Sequence, residues 1–265
     1  MVLTKVRNLI VVRLNVISDV HARIDALAEA GKNADALICL GDLLLYTDYE
    51  DPGNGIMGSL FGAELNTEFI RLRTANRFDE ARAVAMKKWD ELGNREELIN
   101  GEVQKQYEQI FKAMPTPTFI TYGNVDRPEF WPNFKKEGMT VLDGQVVEIG
   151  GLKFGFVGGG LKTPYRTPYE ITDEEFQKNV DALGPVDVLC SHIPPAIADI
   201  TFDVVARRFE RGSIALLEYI KKYQPKYSLF GHVHQPLASR TRVGKTECVN
   251  VGHFRATKRP FVLDL

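Results

Sequence analysis

Seven side chains able to hold a metal ion recur at one kind of place in this sequence, directly after a short apolar run. "VISDVH" supplies Asp19 and His21, "ICLGD" supplies Asp42, and "FITYGN" supplies Asn124. "VLCSH" ends on His192, and "SLFGHVH" carries His232 and His234. The chain has only five histidines, so four of the five stand at such positions. Singly, each piece is weak: D-x-H is also a helix cap beside a solvated histidine, and G-N-V-D is also an Asx turn. Their recurrence after β-type runs points to one shared site, because open α/β sheets form their binding crevices at strand carboxyl ends. Four neutral imidazoles, two carboxylates and one amide oxygen are more than one divalent ion needs in a His/carboxylate site. Two ions sharing a carboxylate fit better. Their four positive charges, against two from Asp19 and Asp42, leave an excess able to hold an anionic substrate and a bridging hydroxide. Two metals ~3.5–4 Å apart activate such a hydroxide and clamp a phosphoryl oxygen during in-line displacement. The expected chemistry is phosphoester hydrolysis.

The elements that must position these residues alternate between short β-rich runs and helical stretches. Strands are predicted at "LIVVRLNVIS", "DALICL", "TPTFITY", "QVVEIG", "LKFGFVGG", "VDVLCS", "KYSLFGH" and "FVLDL". Helices are predicted near "RIDALAEAGK", over much of 66–113, and near "TDEEFQKNVDAL" and "SIALLEYIKK". In the segment "FDEARAVAMKKWDEL", Ala81, Val84, Ala85, Lys88 and Trp89 share one helical face, which reads as core packing. Such mixing means an α/β chain with helix-covered sheets. Its 265 residues, 44% of them hydrophobic and 26% charged, suit one soluble domain spanning 1–265. A net charge of −2 with no dense basic stripe gives no expectation of nucleic-acid binding. No apolar run reaches the ~20 residues of a membrane span, and the N-terminal run lacks the pattern of a signal peptide. Cys39, Cys190 and Cys248 cannot all pair and show no CxxC spacing, so a reducing cytoplasm is the expected location.

The ordered set D-x-H, GD, GN-x-D, H-x-P-P and GH-x-H, running from Asp19 to His234, resembles the calcineurin-like metallophosphoesterases. That resemblance implies a four-layer αββα sandwich, two facing mixed β-sheets flanked by helices, with the metals at strand ends along one edge. It implies that Asp19, His21 and His234 hold one metal, that Asn124, His192 and His232 hold the other, and that Asp42 bridges them. Asp42, Asn124 and His192 then act in catalysis through the metals and the bridging hydroxide. The ions implied are Mn, Fe or Zn.

Two departures from the family pattern matter. Members often read GNH[DE], with the histidine protonating the leaving group, whereas here that position is Val125. A general acid is worth roughly 10²–10⁴-fold, and aryl or phosphate leaving groups miss it least. The chain therefore resembles the branch that includes phosphodiesterases, and a phosphodiesterase is the leading reading. A phosphomonoesterase acting on nucleotide or protein phosphate, and a non-catalytic scaffold, are the alternatives. Asp126, without its usual partner, is expected to pair with Arg127 or to cap the following segment. His253 reads as a replacement proton donor, a phosphate contact or an ordinary loop residue.

The second departure is length: Asp42 and Asn124 lie 82 positions apart. The extra material, a loop and helices at about 46–93, starts beside a metal ligand and could roof the site or support a homodimer. Tyr46, Tyr49 and Phe61 are candidates for stacking on substrate or for burial under the insertion. Arg207, Arg208 and Arg211 in "FDVVARRFERGS" suit an anionic substrate or a solvated helix face. Arg23 is a candidate phosphate contact or a surface residue, and "VGGGLKTP" reads as a flexible turn near the rim rather than a P-loop. The expected partner is a small phosphoester, with no membrane.

Overall fold

Runs such as "LNVI", "ALIC" and "VLCS" are buried at every residue, a pattern that suits only strands covered on both faces. The structure, a computed structural model, describes residues 12–265. Leu9 to Val11 of the first predicted strand, and residues 1–11 of the stretch weighed as a signal peptide, lie outside the described residues.

The described residues begin with β1 (Arg13–Ile17), α1 (Ile24–Leu27) and β2 (Ala36–Cys39). Four helices follow: α2 (Gly55–Phe61), α3 (Ala63–Thr74), α4 (Phe78–Leu92) and α5 (Arg95–Ala113). Next come β3 (Thr118–Ile120), a 3-10 turn at Pro128–Asn133, β4 (Met139–Val141), β5 (Gln145–Ile149) and β6 (Leu152–Val157). The short strands β7 (Gly160–Leu161) and β8 (Glu170–Ile171) pair before α6 (Asp173–Ala182) and β9 (Val188–Ser191). After α7 (Ala198–Thr201), a hairpin of β10 (Phe202–Asp203) and β11 (Arg208–Phe209) leads to α8 (Ile214–Tyr223) and β12 (Tyr227–Phe230). The chain closes with β13 (Arg240–Val243), β14 (Thr246–Asn250), α9 (Phe254–Thr257) and β15 (Phe261–Asp264).

Two mixed sheets result, one of five strands in the order β15-β1-β2-β3-β4 and one of six in the order β13-β14-β12-β9-β6-β5. In each, the central strands are parallel, β1 to β4 in the first and β14, β12, β9 and β6 in the second. Their inner faces meet, with Val16, Ile38 and Leu40 against Phe154, Phe156, Val188 and Leu229. Outside the first sheet, Leu37, Cys39 and Ile120 pack on Val103, Tyr107, Ile110 and Phe111 of α5. Outside the second, Leu189, Phe230 and Cys248 pack on Phe176 and Val180 of α6 and Leu216 and Ile220 of α8. The architecture is the expected helix-sheet-sheet-helix sandwich. All three cysteines are buried and free, so they serve as small apolar residues.

Two local expectations change. The helix predicted over "RIDALAEAGK" stops after Leu27, where the chain tightens into i→i−3 turns: the N–H groups of Glu29, Ala30 and Lys32 donate to the carbonyls of Ala26, Leu27 and Glu29. The buried Asn15 amide then donates to the carbonyls of Ala30 and Lys32 at 2.8 and 3.1 Å, pinning that turn to β1. Phe61, a candidate for stacking on substrate, is buried in a small cluster with Met57, Ala85 and Trp89, its ring 4.8 Å from that of Trp89. Of the predicted face of α4, Ala81, Ala85 and Trp89 are buried.

Candidate metal centre

Six parallel strands deliver the site. β1, β2 and β3 are neighbours in one sheet, β9, β12 and β14 in the other, and all point their carboxyl ends to the same edge. Asp19 and His21 follow β1, Asp42 follows β2, Asn124 follows β3, His192 follows β9, and His232 and His234 follow β12. The loops there are tightly zipped: the main-chain N–H groups of Asp19, His21 and Ala22 donate to the carbonyls of Gly41, Asp42 and Leu43. Asp19, His21, Asp42 and His232 all hold positive φ, at 58°, 41°, 55° and 69°. Side chains other than glycine rarely adopt that conformation, and strained backbone of this kind gathers at functional sites.

The imidazole tautomers are set by carbonyls that can only accept. His21 Nδ1 lies 2.9 Å from the Leu44 carbonyl, and His192 Nδ1 lies 2.9 Å from that of Leu40. Each Nδ1 therefore carries the proton, and in the neutral ring each Nε2 presents a lone pair. His21 Nε2 faces carboxylate oxygens of Asp19 at 4.0 Å and Asp42 at 3.9 Å. His192 Nε2 faces Asp42 Oδ1 at 3.4 Å and Asn124 Oδ1 at 2.9 Å. A lone pair aimed at an oxygen repels it unless a proton or a metal cation links the two. His21 Nε2 and Asp19 Oδ1 are buried with no hydrogen-bond partner, which fits an ion at that point.

Asp42 belongs to both halves, one carboxylate oxygen toward His21 and the other toward His192. On the first side, His234 Nε2 lies 3.5 Å from Asp19 Oδ1. On the second, His192 Nε2 and His232 Nδ1 converge on Asn124 Oδ1, each at 2.9 Å. The Asn124 amide is oriented by donating from Nδ2 to Thr167 Oγ1 at 3.0 Å. The charges cooperate. Burial opposes the ionised forms of Asp19 and Asp42, yet His234 holds Asp19 well below the usual carboxylate range and His192 holds Asp42 down. His192 moves the other way, to about 9, because Asp42 outweighs its burial. Burial keeps His21 and His232 below the ordinary imidazole value, the neutral form a metal ligand requires.

The glycines of "GD", "GN" and "GH" are sites of close approach. A Cβ on Gly123 would stand 2.0 Å from Asp42 Oδ1 and 2.1 Å from the Asp42 main-chain nitrogen. A Cβ on Gly231 would stand 2.0 Å from Ser18 Oγ and 2.4 Å from Asp19 Oδ2. Gly123→Ala is thus expected to push Asp42 away from Asn124 and to cost at least ~1–3 kcal/mol of overpacking. Thermal melting would show this as a drop of roughly 2–4 °C per kcal/mol, and metal content should fall with it. A variant with the melting point and metal content of the parent would show that the contact is dispensable.

Asp126 corrects an expectation. It neither pairs with Arg127, whose partner is Glu129, nor caps the turn that follows. It is completely buried, and its carboxylate accepts the N–H groups of Asp42, Leu43 and Gly123 at 2.9, 3.0 and 2.8 Å. Burial, then the charge of Asp42, pushes its pKa up to about 7 against the pull of the Gly123 and Leu43 amides. "VGGGLKTP" also differs from the flexible turn expected. The Gly158 N–H donates to Asp143 and the Gly159 N–H to the Tyr122 carbonyl, which holds the run against the loop bearing Asn124.

The remaining candidates scatter. Arg23 turns toward Asp25, and Tyr46 is half-buried while Tyr49 is exposed. The stretch with Arg207, Arg208 and Arg211 forms the β10–β11 hairpin rather than a helix face, because Asp203 ties it to Gln235 and to its own turn. Arg208 pairs with Glu210, and Arg211 with Asp173. A cleft beside Asn124 and His232 is lined by Thr163, Tyr165, Thr167 and Arg211. The Tyr165 ring there meets Arg73 of α3 at 4.7 Å, Arg208 at 4.9 Å and Phe78 of α4 at 5.2 Å, so the corner between those helices reaches the rim.

His253, beyond the end of β14, does join the centre. Its ring stacks on His234 with centroids 3.8 Å apart and planes 9° apart, and meets His21 edge-on at 5.8 Å. Burial, then His234, pushes its pKa down to about 3, so the ring is neutral near pH 7. Arg255 and Asp48 escaped the sequence reading. The Arg255 guanidinium donates to the His21 carbonyl at 2.7 Å and to the Asp48 carboxylate, tying the loop after β2 to the centre. With 207 positions between Arg255 and Asp48, no local spacing could have signalled that pair.

Similarity to known proteins bears on the family and the fold. The family model described as calcineurin-like phosphoesterase matches residues 12–236. An uncharacterized protein of Methanocaldococcus jannaschii is 28% identical over 135 residues, covering 48% of this chain and 60% of that protein's length. One solved crystal structure superposes with a TM-score of 0.57 at 20% identity, covering 96% of this chain and 95% of its own. A putative 5'-nucleotidase from Staphylococcus aureus superposes with a TM-score of 0.49 at 12% identity, covering 96% of this chain and 50% of its own. Among the described residues no helix is long and apolar enough to cross a membrane.

Proposed function

We propose, for a chain that belongs to the calcineurin-like phosphoesterase family, the hydrolysis of small phosphodiesters at a centre of two divalent metal ions. One observation carries the reading: nitrogens of His21, His192, His232 and His234 converge on oxygens of Asp19, Asp42 and Asn124 at 2.9 to 4.0 Å along one sheet edge, with the His21 and His192 rings fixed by main-chain carbonyls. Asp19, His21 and His234 would hold one ion, Asn124, His192 and His232 the other, and Asp42 both. Mn, Fe and Zn are the candidates. Bound there, such ions supply a water of lowered pKa and positive charge for the phosphoryl oxygens.

The chain's own residues set the rest. The Leu40 and Leu44 carbonyls and Thr167 orient three of the ligands before anything binds, as outer partners of metal ligands commonly do. Val125 has no proton to give from its side chain, and its N–H is spent on Asp42 Oδ1 at 2.9 Å. A leaving oxygen gains no proton from that position, which favours esters whose leaving group is stable as an anion. The Tyr165 contacts with α3 and α4 support a roof over one side of the site, and with it a small substrate.

Metal content and paired turnover test this. Purified protein given Mn²⁺ is expected to hold about two ions per chain and to hydrolyse an aryl phosphodiester faster than the matching monoester. Faster monoester turnover would reverse the substrate preference. Less than one ion per chain with no turnover of either would leave a scaffold.

A further inference from the structure

We propose that His253 is a phosphate-binding residue of this centre, donating a ring N–H to a non-bridging oxygen of the phosphoryl group. The proposal rests on the metal-centre reading above and deepens it. Both ring nitrogens of His253 are buried, and neither has a hydrogen-bond partner. An imidazole always carries at least one N–H, and a buried donor left unpaired costs about 1–3 kcal/mol. An occupant of the site that accepts a hydrogen bond would therefore find this donor unpaired.

That occupant is not the ion held by His234, although nitrogens of His21, His234 and His253 lie within 4.8 Å of one another. Ligation uses the in-plane lone pair, and the His234 and His253 rings are cofacial. An ion midway between them would stand about 1.9 Å out of each plane, nearly the whole ~2.0–2.1 Å of a Zn–N bond. An anion drawn to the centre meets both requirements. It accepts hydrogen bonds, and the excess positive charge of two divalent ions would bring it to this edge.

The ring is also held ready. His253 bridges to Ser18, the Phe254 and Arg255 N–H groups donate to the carbonyls of Ser18 and Asp19 at 3.0 Å, and the Arg255 guanidinium grips the His21 carbonyl. The backbone carrying His253 is thereby locked to the backbone carrying Asp19 and His21. A donor fixed beforehand binds without an ordering cost of its own.

The test uses inorganic phosphate as the probe, titrated calorimetrically into Mn²⁺-loaded protein after metal content has been measured. His253→Phe keeps the stack on His234 and removes the N–H. It is expected to retain the parent's metal content and melting point while binding phosphate about 10- to 100-fold more weakly, the range for a hydrogen bond to a charged acceptor. His253→Gln, which restores a donor, should recover part of that loss. Unchanged phosphate affinity in a fully loaded His253→Phe would overturn the proposal. So would loss of a metal equivalent in that variant, which would make His253 a servant of the ion. A parent chain that loads two ions yet ignores phosphate defeats this proposal alone, whereas a parent that loads no metal defeats the metal-centre reading with it.

Discussion

Asp42→Asn is expected to empty the metal centre while leaving the fold intact. The backbone at Asp42 has φ of 55°, a conformation asparagine adopts more readily than most side chains. The amide oxygen can still accept the Val125 N–H that Asp42 Oδ1 accepts now. What changes is the other position, where an NH₂ replaces the oxygen facing His21. A negative charge shared by both halves disappears, and a donor points to where a cation would sit. Metal content should fall from about two ions to fewer than one per chain, and turnover by about 10³-fold, the scale of losing one electrostatic stabiliser of a transition state. The stability effect should depend on metal. In chelator the variant should melt a little below the parent, because the attraction between His192 and the Asp42 carboxylate is lost, partly offset as Asp19 and Asp126 are relieved of a neighbouring charge. In Mn²⁺ the parent gains by mass action, about 2.7 kcal/mol at a hundredfold excess over its Kd, and the variant does not. A variant that melts with the parent in Mn²⁺, or keeps both ions, would remove Asp42 from the shared position.

The candidate ligand set was legible because it obeys a local rule: an apolar run long enough to be a strand ends on a polar residue at the sheet edge. Asp19, Asp42, Asn124, His192 and His232 all announce themselves this way, and the structure gathers them. The α/β class followed from the same alternation, while the facing of two sheets came through resemblance, since strand order is a matter of distant pairing. Elements without a strong apolar signature were missed. In β13, "RTRV" sits on the sheet edge with alternately exposed and half-buried residues, and β4 is three residues long. Helix α1 was overdrawn because nothing in "RIDALAEAGK" shows that the chain tightens into turns after Leu27, which Asn15 of the neighbouring strand then pins. Asp126 was misread for a related reason. Its partners Asp42 and Leu43 lie 84 and 83 positions away, so only Arg127 and the next turn were visible beside it.

Asp126→Ala is expected to have the largest effect on stability of any single change near the centre. One carboxylate, fully buried, holds the N–H groups of Asp42 and Leu43 from the loop after β2 and of Gly123 from the loop after β3. The Tyr107 hydroxyl lies 3.5 Å from the same carboxylate and accepts the Arg127 N–H at 2.6 Å, which joins α5 to the arrangement. Truncation leaves three buried donors at about 1–3 kcal/mol each, and partial relaxation makes a loss of roughly 3–5 kcal/mol reasonable. Against a total stability of about 5–15 kcal/mol that is a large share. The measurement is urea unfolding at pH 8, above the value near 7 to which burial and Asp42 raise this carboxyl, so that the ionised form is compared. It should be run in chelator as well as in Mn²⁺. Asp42→Asn and Asp126→Ala then separate, because the first loses far more stability where metal is present than in chelator and the second loses about as much in both. A loss seen for Asp126→Ala in Mn²⁺ alone would mean that this carboxylate acts through the ions, and that the strand-end loops keep their places without it.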